Sequence, residues 1–99
     1  MIPVQISKKA VVEIRNIIKN KNIPTDYGLR IGVKGARGCA GVSFMLGFDK
    51  KKDDDLEYTF EELDVYIRKK ELLFLMGKEI DYYDGGDAKG FVFNDPEIS

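Results

Sequence analysis

Residues 27–34 read YGLRIGVK, residues 35–41 GARGCAG and residues 42–49 VSFMLGFD. These three segments carry the chain's clearest structural signal. In the first segment Leu29, Ile31 and Val33 alternate with Arg30, Gly32 and Lys34, a period of two that puts the apolar set on one face of a strand. In the third, Val42, Phe44, Leu46 and Phe48 form the equivalent inward set. Two alternating runs joined by a short glycine-rich segment predict neighbouring strands or a hairpin. Toward the N-terminus, Ala10, Val11, Ile14, Ile17 and Ile18 recur at helical spacing, and Ser7 stands where an N-cap hydroxyl belongs. That helix is expected from about Lys8 to Lys21, ending before Pro24. Before it, Ile2, Val4 and Ile6 alternate as a short strand, which Pro3 confines to a sheet edge because proline has no N–H to donate.

Toward the C-terminus, Lys50–Asp55 (KKKDDD) reads as a charged, self-compensating exposed turn. Leu56, Tyr58 and Phe60 alternate after it, and Val65 and Ile67 mark another strand. RKKELLFLMG predicts one or two helical turns near residues 68–76, with Leu72, Leu75 and Met76 packing inward and Gly77 as the stop. Ile80 and Tyr82, then Phe91 and Phe93, give two last strands around DGGDAKG. The sum is a strand-rich α+β chain with one N-terminal helix and one short helix. No repeat or linker divides it, so residues 1–99 are expected to form a single domain.

Composition narrows the function. The 99 residues carry 16 basic and 17 acidic side chains, a formal charge of −1. No global field attracts nucleic acid or an anionic membrane. No apolar run approaches the ~20 residues of a membrane span, and Met1–Ser7 lacks the order of a signal peptide; a cytoplasmic address is the expectation. There is no histidine and one cysteine, Cys39. Histidine-assisted nucleophiles, imidazole metal ligands, internal disulfides and a one-chain tetrahedral thiolate site are all excluded.

The chemistry therefore converges on residues 35–41. Gly35, Gly38 and Gly41 allow close approach to the backbone. Arg37 and Lys34 lie near Cys39 in sequence and favour its thiolate, the nucleophilic and metal-binding form. A lone cysteine also serves as a small buried hydrophobe, and the residues alone leave both readings open. The other candidates are weaker. Asp81, Asp84 and Asp87 match no calcium-loop template. Glu61 and Glu62 define no acid–base geometry. Tyr82, Tyr83, Phe91 and Phe93 lack the basic stripe of a base-stacking platform. GARGCAG lacks the lysine and hydroxyl of a phosphate loop. No enzyme is indicated.

Taken together, SKKA before the helix, YGLRIGV, GARGCAG, ELLFLMGKEIDYY and GFVFNDP resemble the A-type iron–sulfur cluster carriers, the HesB-like (IscA/SufA-like) family. The resemblance runs from about Val4 to Pro96. It implies a compact β-sandwich or barrel-like HesB-like domain, homodimers or higher oligomers, and transient binding of iron or an iron–sulfur cluster. It also implies assembly proteins and apo-protein clients as partners. Of the family's three ligand cysteines only the loop position carries over, as Cys39, with Gly38 and Gly41 flanking it. The sequence as it stands ends at DPEIS without the family's Cys-Gly-Cys pair, and Asp95 stands where the family has asparagine. Clusters are usually held by four thiolates. Two copies would contribute two, the rest coming from carboxylates, a small thiol such as glutathione, or a client. The alternative is a HesB-like binding or scaffold module that no longer holds a cluster. A thiol-peroxidase or redox-sensor role would need an external resolving thiol.

Overall fold

The computed structural model describes residues 2–34 and 43–95. They fall into two compact units, one built from residues 1–23 with 77–99 and the other from residues 24–76. Within the described residues no helix is long and apolar enough to cross a membrane.

The first unit holds β1 (Gln5–Ile6), α1 (Lys8–Asn20), β6 (Glu79–Asp84) and β7 (Lys89–Asn94). Its sheet order is β1-β6-β7. β1 runs parallel to β6, with Ile6 opposite Ile80, and β6 runs antiparallel to β7, with Tyr82 opposite Phe91. β1 is an edge strand, as Pro3 predicts, but it covers only Gln5–Ile6 and not the whole alternating run from Ile2 to Ile6; Pro3 lies outside the ladder, and its carbonyl accepts from the Gly77 N–H at 2.8 Å. α1 begins where the hydroxyl rule places it: Ser7 Oγ accepts from the Ala10 N–H at 3.1 Å. Val4, Ala10, Ile14 and Ile80 are fully buried, with Ile6 and Val11 nearly so. These apolar positions of strand and helix supply the unit's core.

The second unit holds β2 (Gly28–Lys34), β3 (Ser43–Asp49), β4 (Asp55–Phe60) and β5 (Leu63–Arg68) in the order β3-β2-β5-β4. A 3-10 turn (Lys69–Glu71) and α2 (Leu72–Leu75) follow. β2 pairs antiparallel with β3 and parallel with β5, so β2 and β5 are interior strands. That position explains why Leu29, Ile31, Val65 and Ile67 are buried while Phe44, Leu46 and Phe48, on an edge strand, stay half-buried. β4 and β5 are joined by a two-residue turn in which both Glu61 (φ 51°) and Glu62 (φ 68°) take the left-handed conformation, the geometry of a hairpin turn that asparagine and glycine favour.

The architecture is the expected strand-rich α+β one, with two helices and two sheets. The short helix differs in one detail. Leu75 is fully buried, but Met76 is 41% exposed and points outward. Met76 has already left the helix, at ψ 133°, so helical periodicity no longer governs its direction. Gly77, at φ 86°, ends the element as expected.

Candidate functional site

Cys39, Gly38 and Gly41, together with Gly35, Arg37 and Val42, lie outside the described residues. The frame that carries their segment is described. The β2–β3 ladder runs from Gly28 opposite Asp49 to Lys34 opposite Ser43. Residues 34 and 43 are thus the last described pair, and they flank the thiol-bearing segment in sequence. On the other side of β2 the ladder to β5 reaches only Ile31 opposite Ile67. Beyond it the Val33 N–H donates to Glu71 Oε1 at 3.1 Å. A side-chain carboxylate takes the place of the missing strand and keeps that amide satisfied. The second oxygen, Oε2, lies 3.8 Å from Arg68 Nη1. A Cβ on Gly32 would meet Glu71 Oε1 at 3.3 Å, so the glycine leaves room for the carboxylate.

A second clamp organises the opposite end of β2. Arg30 donates from Nη1 to Asp55 Oδ1 and from Nη2 to Asp55 Oδ2 at 2.7 Å, a bidentate pair. Lys52 N–H adds a further bond to Oδ2 at 2.7 Å. The Asp55 side chain is completely buried and that of Arg30 is 13% exposed. Hydrogen bonding by Arg30 outweighs desolvation and holds the Asp55 carboxyl below the usual carboxylate range. Arg30 also donates to the Lys50 carbonyl at 3.0 Å and lies 5.9 Å from the Tyr66 ring centroid. The expectation of a self-compensating turn at Lys50–Asp55 is corrected here. Lys52 pairs with Asp49 at 2.7 Å and Lys50 with Asp26 at 3.5 Å, while Asp55 turns inward to Arg30. Local charge pairing loses to a preformed guanidinium fork that satisfies both carboxylate oxygens.

The remaining sequence candidates take structural places. Asp81 accepts from Ser7 Oγ at 2.6 Å and from the Tyr82 N–H at 2.8 Å, and the Ser7 bond lowers its pKa. Asp84 accepts from the Gly86 N–H in the β6–β7 turn. Among the described residues no three carboxylate or thiol side chains gather where a metal ion could be held. Tyr82 and Phe91 pack edge to face with centroids 5.0 Å apart. A shallow cleft of about 340 Å³ is lined by Lys8, Lys9, Val12, Tyr82 and Asp84. Its charges are mixed and it contains no thiol.

Fold and frame together define a small α+β protein whose β2–β3 ladder holds Lys34 and Ser43, the described residues that flank the Cys39 segment in sequence. A family model for iron–sulphur cluster biosynthesis matches residues 2–99, and the chain belongs to that family. Its sequence is 39% identical over 94 residues to the mouse protein "Iron-sulfur cluster assembly 1 homolog, mitochondrial", covering 94% of this chain and 70% of the relative. Its fold is similar to that of Escherichia coli SufA, involved in biosynthesis of iron–sulfur clusters, with a TM-score of 0.77 at 26% identity over 98% of this chain and 83% of that one. It is also similar to the fold of IscA with a [2Fe-2S] cluster, with a TM-score of 0.79 at 21% identity over 94% of this chain and 85% of that one. The resemblance read from the motifs therefore holds, and the chain's class is iron–sulfur cluster assembly.

The cytoplasmic expectation is corrected by the same relatives. The mouse, pigeon and human proteins are all named mitochondrial. That expectation rested on what Met1–Ser7 lacks, and a targeting segment is an address separate from the folded module. Two residues of the frame, Asp55 and Glu71, were not singled out from the sequence. A trace of Asp55 exists in Arg30, a charge in the middle of an apolar strand that needs a partner, unlike Lys34 at the strand's exposed end. Nothing in RKKEL marks Glu71 as the carboxylate that reaches Val33.

Proposed function

We propose that this chain receives iron or a labile iron–sulfur cluster as cargo on the Cys39 thiolate and passes it to apo-protein clients. Gly38 and Gly41 would let the cluster approach the backbone closely. The reading is supported by the family assignment. The single observation that carries it is the anchorage of Lys34 opposite Ser43, with Glu71 securing the neighbouring Val33 amide. A reactive group is positioned best when its loop departs from a rigid element.

Within the 99 residues Cys39 is the only thiol, whereas clusters usually take four. Two copies in a homodimer would bring two thiolates, leaving the other positions to a client or a small thiol. Such a donor set suits transfer rather than storage. In this reading residues 1–99 act as one domain, without catalysis, and the partners are the assembly proteins that load the cargo and the apo-proteins that accept it. Anaerobic reconstitution with ferrous iron and sulfide tests it. The wild type should develop visible absorbance with iron bound per dimer, and Cys39→Ser should stay colourless with an unchanged urea midpoint. Equally colourless wild type and variant would overturn the proposal and leave a binding module without cargo.

A further inference from the structure

We propose that the outer face of the segment from Lys69 to Met76 is a docking site for an acidic protein segment with an apolar anchor. α2 turns Leu75 into the core with Leu72 half-buried, and directs Leu73 and Phe74 outward, 83% and 42% exposed. Met76 continues the outward face at 41%. Polar side chains would solvate such a face at no packing cost, whereas Leu, Phe and Met at adjoining exposed positions form the kind of patch that marks an interaction surface.

The charge around the patch selects the occupant. Lys69 and Lys70 are exposed and stand four residues, about one helical turn, before Leu73 and Phe74. Among the described residues neither lysine has an ion-pair partner. The acid of the segment, Glu71, is engaged by the Val33 N–H and Arg68, and Arg68 lies 3.6 Å from Asp54. Two ammonium groups without an ion-pair partner among the described residues therefore flank the apolar face in sequence, a pattern that complements carboxylates. A second copy meeting this patch through a two-fold axis would set lysines against lysines. Anionic bilayers are recognised by clusters of about 4–8 basic residues, and this chain has a net charge of −1. An acidic protein partner is the occupant that fits.

The site does not depend on Cys39, so its test is separable from that of cargo binding. The labelled full-length chain is titrated, by NMR, with a synthetic amphipathic helix of leucine and glutamate. The same helix with glutamine replacing glutamate, and phosphatidylserine vesicles, serve as the other probes. The acidic helix should shift signals of Leu73, Phe74 and Met76, in the wild type and in Cys39→Ser alike. Lys69→Glu/Lys70→Glu should weaken binding about tenfold or more, and Leu73→Ser/Phe74→Ser should abolish it with the fold intact by amide spectrum. Equal affinity for the glutamine helix, shifts confined elsewhere, insensitivity to charge reversal, or co-sedimentation with vesicles in place of helix binding would each overturn the proposal. Self-association lost in Leu73→Ser/Phe74→Ser would also overturn it.

Discussion

Replacing Asp55 by asparagine keeps its shape and removes its charge. The carboxylate accepts from both Arg30 terminal nitrogens and from the Lys52 N–H. An asparagine retains one acceptor oxygen and turns an NH2 group toward a donor, so at least one buried bond becomes a donor–donor clash. Breaking a buried pair from one side typically costs about 3–5 kcal/mol. Arg30 keeps the Lys50 carbonyl and lies 3.7 Å from Asp49, and its side chain is slightly exposed, which places the loss near the lower end, at about 3 kcal/mol. A domain of this size has roughly 5–15 kcal/mol in total, so the variant still folds but melts on the order of 10–20 °C lower. Urea unfolding checks the figure, with the midpoint falling and the slope unchanged. Replacing both partners by apolar residues, Arg30→Met/Asp55→Leu, should recover most of the loss, because neither charge is then left buried alone. A loss below about 1 kcal/mol for Asp55→Asn, or a double variant as damaged as the two single changes added together, would refute the assignment of this pair as the clamp of the sheet.

The same pair sets a pH dependence. The folded pKa of Asp55 lies below its unfolded value, so the native state binds fewer protons and the contribution is fully present above the ordinary carboxylate pKa of about 3.9. It disappears as pH falls through the lowered folded value. The gap between wild type and Asp55→Asn should therefore be at its full, constant size above about pH 4 and close as the pH falls below it, as measured by urea midpoints across that range.

Three other changes test separate parts of the structure. Gly28→Ala would place a Cβ 2.5 Å from Tyr66 Cε2 and 3.0 Å from the Asp64 carbonyl oxygen, so a loss of about 1–3 kcal/mol is expected from overpacking beneath a buried ring, read as a fall in Tm. Ser7→Ala removes the cap of α1 and should cost about 1 kcal/mol, while an NMR titration should find the Asp81 pKa raised toward its ordinary value. Glu61→Asn/Glu62→Gly relieves two left-handed non-glycine residues in the β4–β5 turn and should stabilise by about 1 kcal/mol; no rise in urea midpoint would mean that the glutamates make compensating contacts of equal worth.

Periodicity and capping carried most of the fold in the sequence, because they are local. Ser7, the apolar stripe of α1 and the alternation of Leu29, Ile31, Phe44, Leu46, Leu56 and Val65 each act over a few residues. The candidate site was legible as a chemical type, one thiol among glycines, and its anchorage was not. That anchorage depends on Glu71 reaching back to Val33, 38 positions away in sequence. The direction of Asp55 depends likewise on Arg30, 25 positions away. Lys50–Asp55 read alone is a solvated turn; a guanidinium already placed on β2 makes burial of its last carboxylate the better solution.

Local pattern alone was enough to locate the main strands, to bound α1, and to assign any thiol chemistry of these 99 residues to Cys39. Each of those follows from side-chain period, from a cap within three residues, or from a count. The pairing of β2 with both β3 and β5, the pairing of β1 with β6 across some 74 positions, and the choice of carboxylates that turn inward belong to the folded chain. Strand partners and buried ion pairs form between groups far apart along the chain, and their free energy exists only once the sheet has brought them together.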